Sequence, residues 1–308
     1  MGPPARRLKL DFAHLHGFAG AMQFVLPYPA IDPEIFSVTL FGVELALRWY
    51  ALAYIAAIVI GWWGLVRLMR GPAPWPGGQA PMTPRMVEPL VTWLVLGIIL
   101  GGRLGFVLFY RPGYYLSHPA EIAVLWQGGM AFHGGLTGVA LAVVLFARRH
   151  SVPLLSLADA LAMVTPPGLL LGRLANFINA ELWGTPSTMP WAMVFPTDPA
   201  GLPRHPSQLY EAGIEGLVLG AALLWLGLGR RWLTRPGAVT GMFLTGYGLA
   251  RFIVERFRQA DAQFVTPDNP AGHVVQIAGG GLSMGQILSL PLIAAGLGLI
   301  VIAWRRRV

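Results

Sequence analysis

Seven runs of mostly apolar residues, most of them about as long as a bilayer is thick, leave this chain few ways to fold. They cover 49–66, 86–109, 132–147, 158–174, 209–228, 238–254 and 285–304. A helix rises about 1.5 Å per residue, so roughly 20 such residues cross the hydrocarbon core. Backbone N–H and C=O groups find no water there and must be satisfied within the segment. The sequence is 55% hydrophobic and 12% charged, and its 39 glycines and 26 prolines suit close-packed or broken membrane helices. The expected fold is all-α: a polytopic membrane protein of about seven transmembrane helices with a small outer head insertion. The third run is short, and Gly128-Gly129-Met130-Ala131 before it offers either a backward extension or a break.

Orientation follows from the arginines. Arg67, Arg70, Arg85, Arg148, Arg149, Arg230, Arg231, Arg235, Arg305, Arg306 and Arg307 all fall on one side if the runs alternate. The positive-inside rule assigns that side to the cytoplasm, with the N-terminus outside and the C-terminus inside. The isoelectric point near 10.4 reflects this topology; no motif for nucleic acid is present. Arg6, Arg7 and Lys9 go against the rule, and residues 1–21 lack an apolar stretch long enough for a signal peptide. They read as a disordered extension.

The remaining organisation is expected as follows. Residues 22–47 form an amphipathic outer arm, and 48–308 the membrane domain. Gly71 to Pro84 is a structureless inner loop. Tyr114, Tyr115 and Trp126 anchor an outer segment at headgroup depth, and 183–206 forms the outer insertion. With no cysteine the chain has no disulfide, thiol nucleophile or thiolate metal site. Seven scattered histidines show no metal-ligand spacing, so neither metal nor cofactor is expected. No internal repeat supports a transporter layout.

Two arginines lie inside apolar runs, where an ionised group costs at least a few kcal/mol and is usually kept for function. In a helix Tyr247, Arg251, Glu255 and Arg258 share one stripe. One carboxylate between two guanidiniums is either an internal salt bridge or, through its positive surplus, a place for an anion. Arg173 and Asn176 lie one turn apart, with Asn179 and Glu181 just beyond and a kink or unwinding expected at Pro166-Pro167-Gly168. A guanidinium fork matches phosphate oxygens, and an amide adds a neutral donor. His133, beside Gly134-Gly135, is either a satisfied core group or a base. Ser207 reads as a helix N-cap with Tyr210 and Glu211 in the first turn, and Tyr50 as an interfacial anchor.

The run from Gly172 to Gly184, Gly-Arg-Leu-Ala-Asn-Phe-Ile-Asn-Ala-Glu-Leu-Trp-Gly, resembles the signature of bacterial prolipoprotein diacylglyceryl transferases. So do Arg48-Trp49-Tyr50, Gly101-Gly102-Arg103-Leu104-Gly105, Phe132-His133-Gly134-Gly135-Leu136, His205-Pro206-Ser207-Gln208-Leu209-Tyr210-Glu211, Gly246-Tyr247-Gly248 with Arg251, Glu255 and Arg258, and Leu282-Ser283-Met284-Gly285-Gln286. Ala175 stands where the family usually has glycine, and the outer insertion is short.

The resemblance implies seven spans in a bacterial inner membrane and a site open sideways to the outer leaflet. The implied reaction moves the diacylglyceryl group of phosphatidylglycerol to the lipobox cysteine of a prolipoprotein and releases glycerol-1-phosphate. It also implies that Tyr50, His133, Arg173, Asn176, Glu181, Gly184, Glu211, Arg251, Glu255 and Arg258 matter for activity or lipid binding. On that basis Arg173 and Arg251 are expected to clamp the phosphate with help from Asn176. Glu255 would orient Arg251 and balance Arg258, Asn179 would support them, and Tyr50 and Tyr247 would shape the headgroup pocket. His133 is the first candidate base, and a relay through a glutamate the second. A transporter that merely binds anionic lipid is the competing class, and a structural scaffold a third.

Overall fold

The computed structural model describes residues 25–40, 43–260, 262–277 and 280–306; the expected disordered extension, 1–21, lies outside them. A hairpin of β1 (Glu34–Leu40) and β2 (Val43–Arg48) leads into α1 (Trp49–Arg70). Then come α2 (Val87–Phe109), α3 (Phe132–Arg149), α4 (Leu154–Val164), α5 (Pro166–Ile178), α6 (Ser207–Gly229), α7 (Ala238–Val254) and α8 (Met284–Arg305). Every apolar run of the sequence is helical, the fourth with a break at Thr165. Among the described residues, five helical stretches, counting 154–178 as one, are long and apolar enough to cross a membrane. α3, with 18 residues, and α7, with 17, fall outside that set. The protein is a helical, polytopic membrane protein, and the large apolar side chains left exposed, such as Ile55, Val59, Leu100 and Leu108, suit a lipid surround.

Glycine sets how closely the helices approach. Gly97, Gly101 and Gly105 of α2 face Gly134 and Gly138 of α3, where a Cβ on any of them would strike the opposite backbone. Small residues at a membrane interface allow this approach. Gly128 and Gly129 have φ of +80° and +81°, so the chain turns before Phe132 and α3 has no backward extension.

The dry core sits at one end of the bundle. Leu65, Met69, Val87, Leu90, Phe146, Leu157, Met163, Leu219, Leu223, Leu233 and Val239 pack there. These are the helix ends nearest the arginine-bearing connections. Asp159 of α4 is fully buried and holds the start of α7, accepting the Gly237 N–H at 2.7 Å and the Thr240 N–H and hydroxyl at 2.7 and 2.6 Å. The four unpaired amides at a helix start favour a carboxylate there.

Several local expectations are corrected. The 71–84 loop has structure: Trp75 is buried in the core and its indole N–H reaches the Leu68 carbonyl at 3.3 Å. Proline at 166 interrupts the helix for one residue, Thr165, without unwinding it, because the N–H groups of Gly168 and Leu169 both return to the Thr165 carbonyl. Tyr115 is buried under the Arg103 guanidinium, 5.2 Å from its ring, whereas Trp126 is exposed. Among the described residues Arg103 pairs with no acid; it donates to the carbonyls of Glu121, Ile122, Gly128 and Gly129.

Candidate active site

Beyond Leu219 and Tyr247 at the edge of the core, three helices aim charged side chains at one point. Arg173 comes from the last turns of α5, Glu211 and Glu215 from the start of α6, and Arg251 from the end of α7. Glu211 is 1% exposed at its side chain and central. Its Oε2 lies 2.9 Å from Arg173 Nε, and its Oε1 accepts from Arg251 Nη1 at 2.9 Å. Arg251 Nη2 meets Glu255 Oε2 at 2.7 Å, and Arg173 Nη2 lies 3.5 Å from Glu215 Oε2. Arg258 approaches Glu211 at 3.6 Å and Glu255 at 3.7 Å. At hydrogen-bonding distance such charge-assisted contacts are stronger than neutral ones.

Local backbone explains this convergence. α6 passes into a π-helical stretch, Ala212–Val218, directly after Glu211, and Glu215 lies inside it. Such wide turns often mark functional positions. α7 ends at Val254, and a 3-10 turn over Glu255–Phe257 carries the chain to an extended Arg258. The expected single helical stripe therefore stops short of Arg258, which still folds back onto Glu255. Ser283 caps α8 and donates its hydroxyl to Glu255 Oε1 at 3.1 Å.

Around this network the other expected residues take distinct places. Asn176, 6% exposed, donates Nδ2 to Glu181 Oε1 at 2.7 Å. Ala180 and Leu182 on either side of Glu181 have positive φ, a strained turn that points the chain back toward α5. Tyr247 lies within the fields of Arg173, Arg251, Glu211 and Glu215. The Tyr50 and Tyr54 rings pack at a tilt of 52°, centroids 5.1 Å apart, and Tyr54 feels Arg173 and Glu181. Gly184 has no room for a side chain, since a Cβ would collide with the carbonyl oxygens of Phe257 and His205. Two expected residues stand apart. Asn179 caps α5 and lines a separate groove of about 560 Å³ with Tyr28, Asp32 and Thr197. His133 is exposed in the first turn of α3, and its ring makes no hydrogen bond to the network.

A second cleft, about 210 Å³, is lined by Glu255, Arg258, His273 and Ser283. It is the smaller, yet it borders the charges, whereas the larger groove is lined by Asp32 and no cation.

Among the described residues the expected positive surplus is not found. Three guanidiniums, Arg173, Arg251 and Arg258, meet three carboxylates, Glu211, Glu215 and Glu255. Glu215 is not anticipated from the sequence, where its only signal is an acid one turn after Glu211 in an apolar run. Nor is the role of Gln208, which is fully buried and donates to the Glu181 carbonyl at 2.6 Å. Ser207 does not cap α6; its hydroxyl goes to the Leu182 carbonyl at 3.0 Å, and Pro206 occupies the cap position.

The 183–206 connection is pinned beside the network. β3 (Met193–Val194) pairs with β4 (Pro203–Arg204), and Phe195 is buried. Arg204 grips Asp198 with Nε at 2.6 Å and Nη2 at 3.1 Å, and stacks over Trp183 at 3.9 Å. Burial works against the Asp198 charge, but the Arg204 hydrogen bonds and two backbone amides outweigh it and hold the carboxyl below its ordinary range. Burial lowers the His205 imidazole from its ordinary value, and Nδ1 sits 3.0 Å from the Tyr210 hydroxyl.

Residues 38–302 match the family model described as prolipoprotein diacylglyceryl transferase. Proteins named phosphatidylglycerol–prolipoprotein diacylglyceryl transferase are similar along most of the length. One from Ruegeria pomeroyi is 61% identical, covering 90% of this chain and 96% of its own. One from Cereibacter sphaeroides is 59% identical, covering 88% and 96%, and one from Methylocella silvestris is 50% identical, covering 92% and 98%. With a matched model over most of its residues and relatives this similar, the chain belongs to the prolipoprotein diacylglyceryl transferase family.

Proposed function

We propose that this chain moves the diacylglyceryl group of phosphatidylglycerol onto the lipobox cysteine thiol of a prolipoprotein. A carbon–sulfur bond forms at the glyceryl carbon, and the carbon–oxygen bond to phosphate breaks. The thiol proton passes to a base, and glycerol-1-phosphate leaves. The shared name of the relatives supports this reading, as does the absence of cysteine, since the nucleophile arrives with the second substrate.

One observation carries the site assignment: Glu211 holds Arg173 and Arg251 by separate oxygens. Arg173 uses Nε and Nη2 on carboxylates, which leaves Nη1 without a protein acceptor among the described residues. Arg251 likewise retains Nε. These donors meet the lipid phosphate, which gains negative charge as the carbon–oxygen bond breaks. Donors fixed in advance stabilise such charge most where water is scarce. The second amide hydrogen of Asn176 serves a phosphate oxygen, and Glu255 orients Arg251. Tyr50 and Tyr247 bound the headgroup, and Asn179, Glu181, Gly184 and Arg258 support the frame. His133 takes the thiol proton, directly or through a glutamate. A thiol with an ordinary pKa near 8.5 is mostly protonated at neutral pH and needs this help.

In the proposed topology the seven helical runs span a bacterial inner membrane, with the dry core at the cytoplasmic face. The network then sits at the outer leaflet, with 22–47 as an arm and 183–206 as a head for the lipoprotein precursor. The test is purified protein in detergent with phosphatidylglycerol and a synthetic lipobox peptide. The cysteine should gain the mass of one diacylglyceryl group, and a Cys→Ser peptide should gain none. Lipid translocation without any mass gain would make the protein a transporter.

A further inference from the structure

Glu215 has no part in the steps above, and its surroundings are unusual for a carboxylate. Its side chain is fully buried, and among the described residues its oxygens have no well-formed hydrogen bond, only the long contact to Arg173. Its nearest cation, Arg173 Nη2, stands at 3.5 Å, while Glu211 holds Arg173 at 2.9 Å and Glu255 holds Arg251 at 2.7 Å. The groups that face it are Arg173 from α5, Tyr247 and Arg251 from α7, and Glu211 on its own helix. A buried charge without hydrogen bonds is costly unless a partner compensates it.

Among the described residues the resting network balances, with three cations against three anions. A phosphodiester headgroup brings one further negative charge into the same water-poor space. It also draws Arg173 away from its loosest partner. One carboxylate must then be neutralised, and the least supported one is lost most cheaply. We propose that Glu215 is a charge-compensating residue: when the anionic lipid binds at the arginines, Glu215 takes one proton from water and returns it when glycerol phosphate departs. The proton joins neither the bond that forms nor the bond that breaks. This role rests on the reading that Arg173 and Arg251 receive the phosphate. Glu215 acts through Arg173 and the summed charge, so it is a positioning residue.

The test is equilibrium binding of phosphatidylglycerol to the detergent-solubilised full chain without peptide, from mildly acid to mildly alkaline pH. Omitting the peptide removes the thiol from the titration. Affinity of the wild type should weaken with rising pH by up to about tenfold per pH unit, the slope expected for uptake of one proton. A pH-indicator dye in weak buffer should record about one proton taken up per lipid bound. E215Q, already neutral, should bind with a flat profile and take up no proton, and E215D should restore the slope. An unchanged slope in E215Q overturns the proposal. So does absence of proton uptake by the wild type, a measurement that stands even if E215Q does not fold. R173A and R251A separate the two ideas. If both bind lipid normally, the phosphate clamp itself is wrong; if both lose binding while E215Q keeps the slope, only the role of Glu215 falls.

Discussion

Arg173 and Arg251 reach opposite oxygens of one buried carboxylate, Glu211, each at 2.9 Å. Neither arginine is therefore positioned by its own helix alone. Replacing Glu211 by Ala should leave two guanidiniums with too little counter-charge, a loss of about 3–5 kcal/mol when one member of a buried ion pair goes. Thermal unfolding in detergent will measure the loss, and a variant as stable as wild type would show that the shared contact carries no weight.

Removing either cation should leave the bundle in the membrane but stop transfer. R173A and R251A should each lower peptide lipidation by about 10²–10³-fold, the range for deleting one oriented donor to developing charge. R251K separates charge from shape. Lysine keeps the charge but cannot hold Glu211 and Glu255 with two nitrogens at once. Turnover of R251K near the wild-type rate would defeat the argument from the planar fork.

Gly184 lets the 183–206 connection press against the chain after α7, its N–H bonded to the His205 carbonyl at 2.9 Å. G184A should cost about 1–3 kcal/mol, as overpacking typically does. Its displaced backbone carries the carbonyl that Arg204 uses at 3.2 Å. The melting temperature should fall, and lipidation should fall with it even though no charged group has changed.

The depressed carboxyl of Asp198 gives a pH signature to the same region. A group whose folded pKa lies below its unfolded value adds stability above the unfolded value and loses it as pH falls through the folded one. An unperturbed aspartate titrates near pH 3.9, so the contribution is complete above about pH 4 and fades below it. Melting curves of wild type and D198N should converge in strong acid and separate above that point. A constant gap at every pH would mean that the Arg204 contact is not ionic.

Asp159 offers a contrast, because its work is at the other end of the molecule. D159A leaves the Gly237 and Thr240 amides uncapped and should cost about 0.5–2 kcal/mol. Lipidation per folded molecule should hold. A selective loss of activity at unchanged stability would place Asp159 in the chemistry instead.

Hydropathy made the helical runs legible, since an apolar run of spanning length has few alternatives. Arg173 and Arg251 were legible because a permanent cation in such a run is anomalous by itself. Their partners were harder to see. Glu211 looked like a first-turn acid, and Glu215 sits in a run that reads as ordinary span; their meaning appears only when α5 and α7 pack against α6. Ser207 carried the composition of a cap, yet its hydroxyl serves Leu182, a contact set by tertiary packing. Trp75 lay in a stretch whose prolines and glycines suggested no structure, and burial of one indole overrode that pattern.

The larger apolar cluster gathers around Phe146 and Leu157, whereas the phosphate site we propose lies beside the smaller one of Phe177, Ala180 and Phe195. Substitutions among the guanidiniums and carboxylates can thus alter which headgroup is accepted while the larger cluster keeps the helices assembled. A chain divided in this way can acquire new lipid preferences without first being rebuilt for robustness.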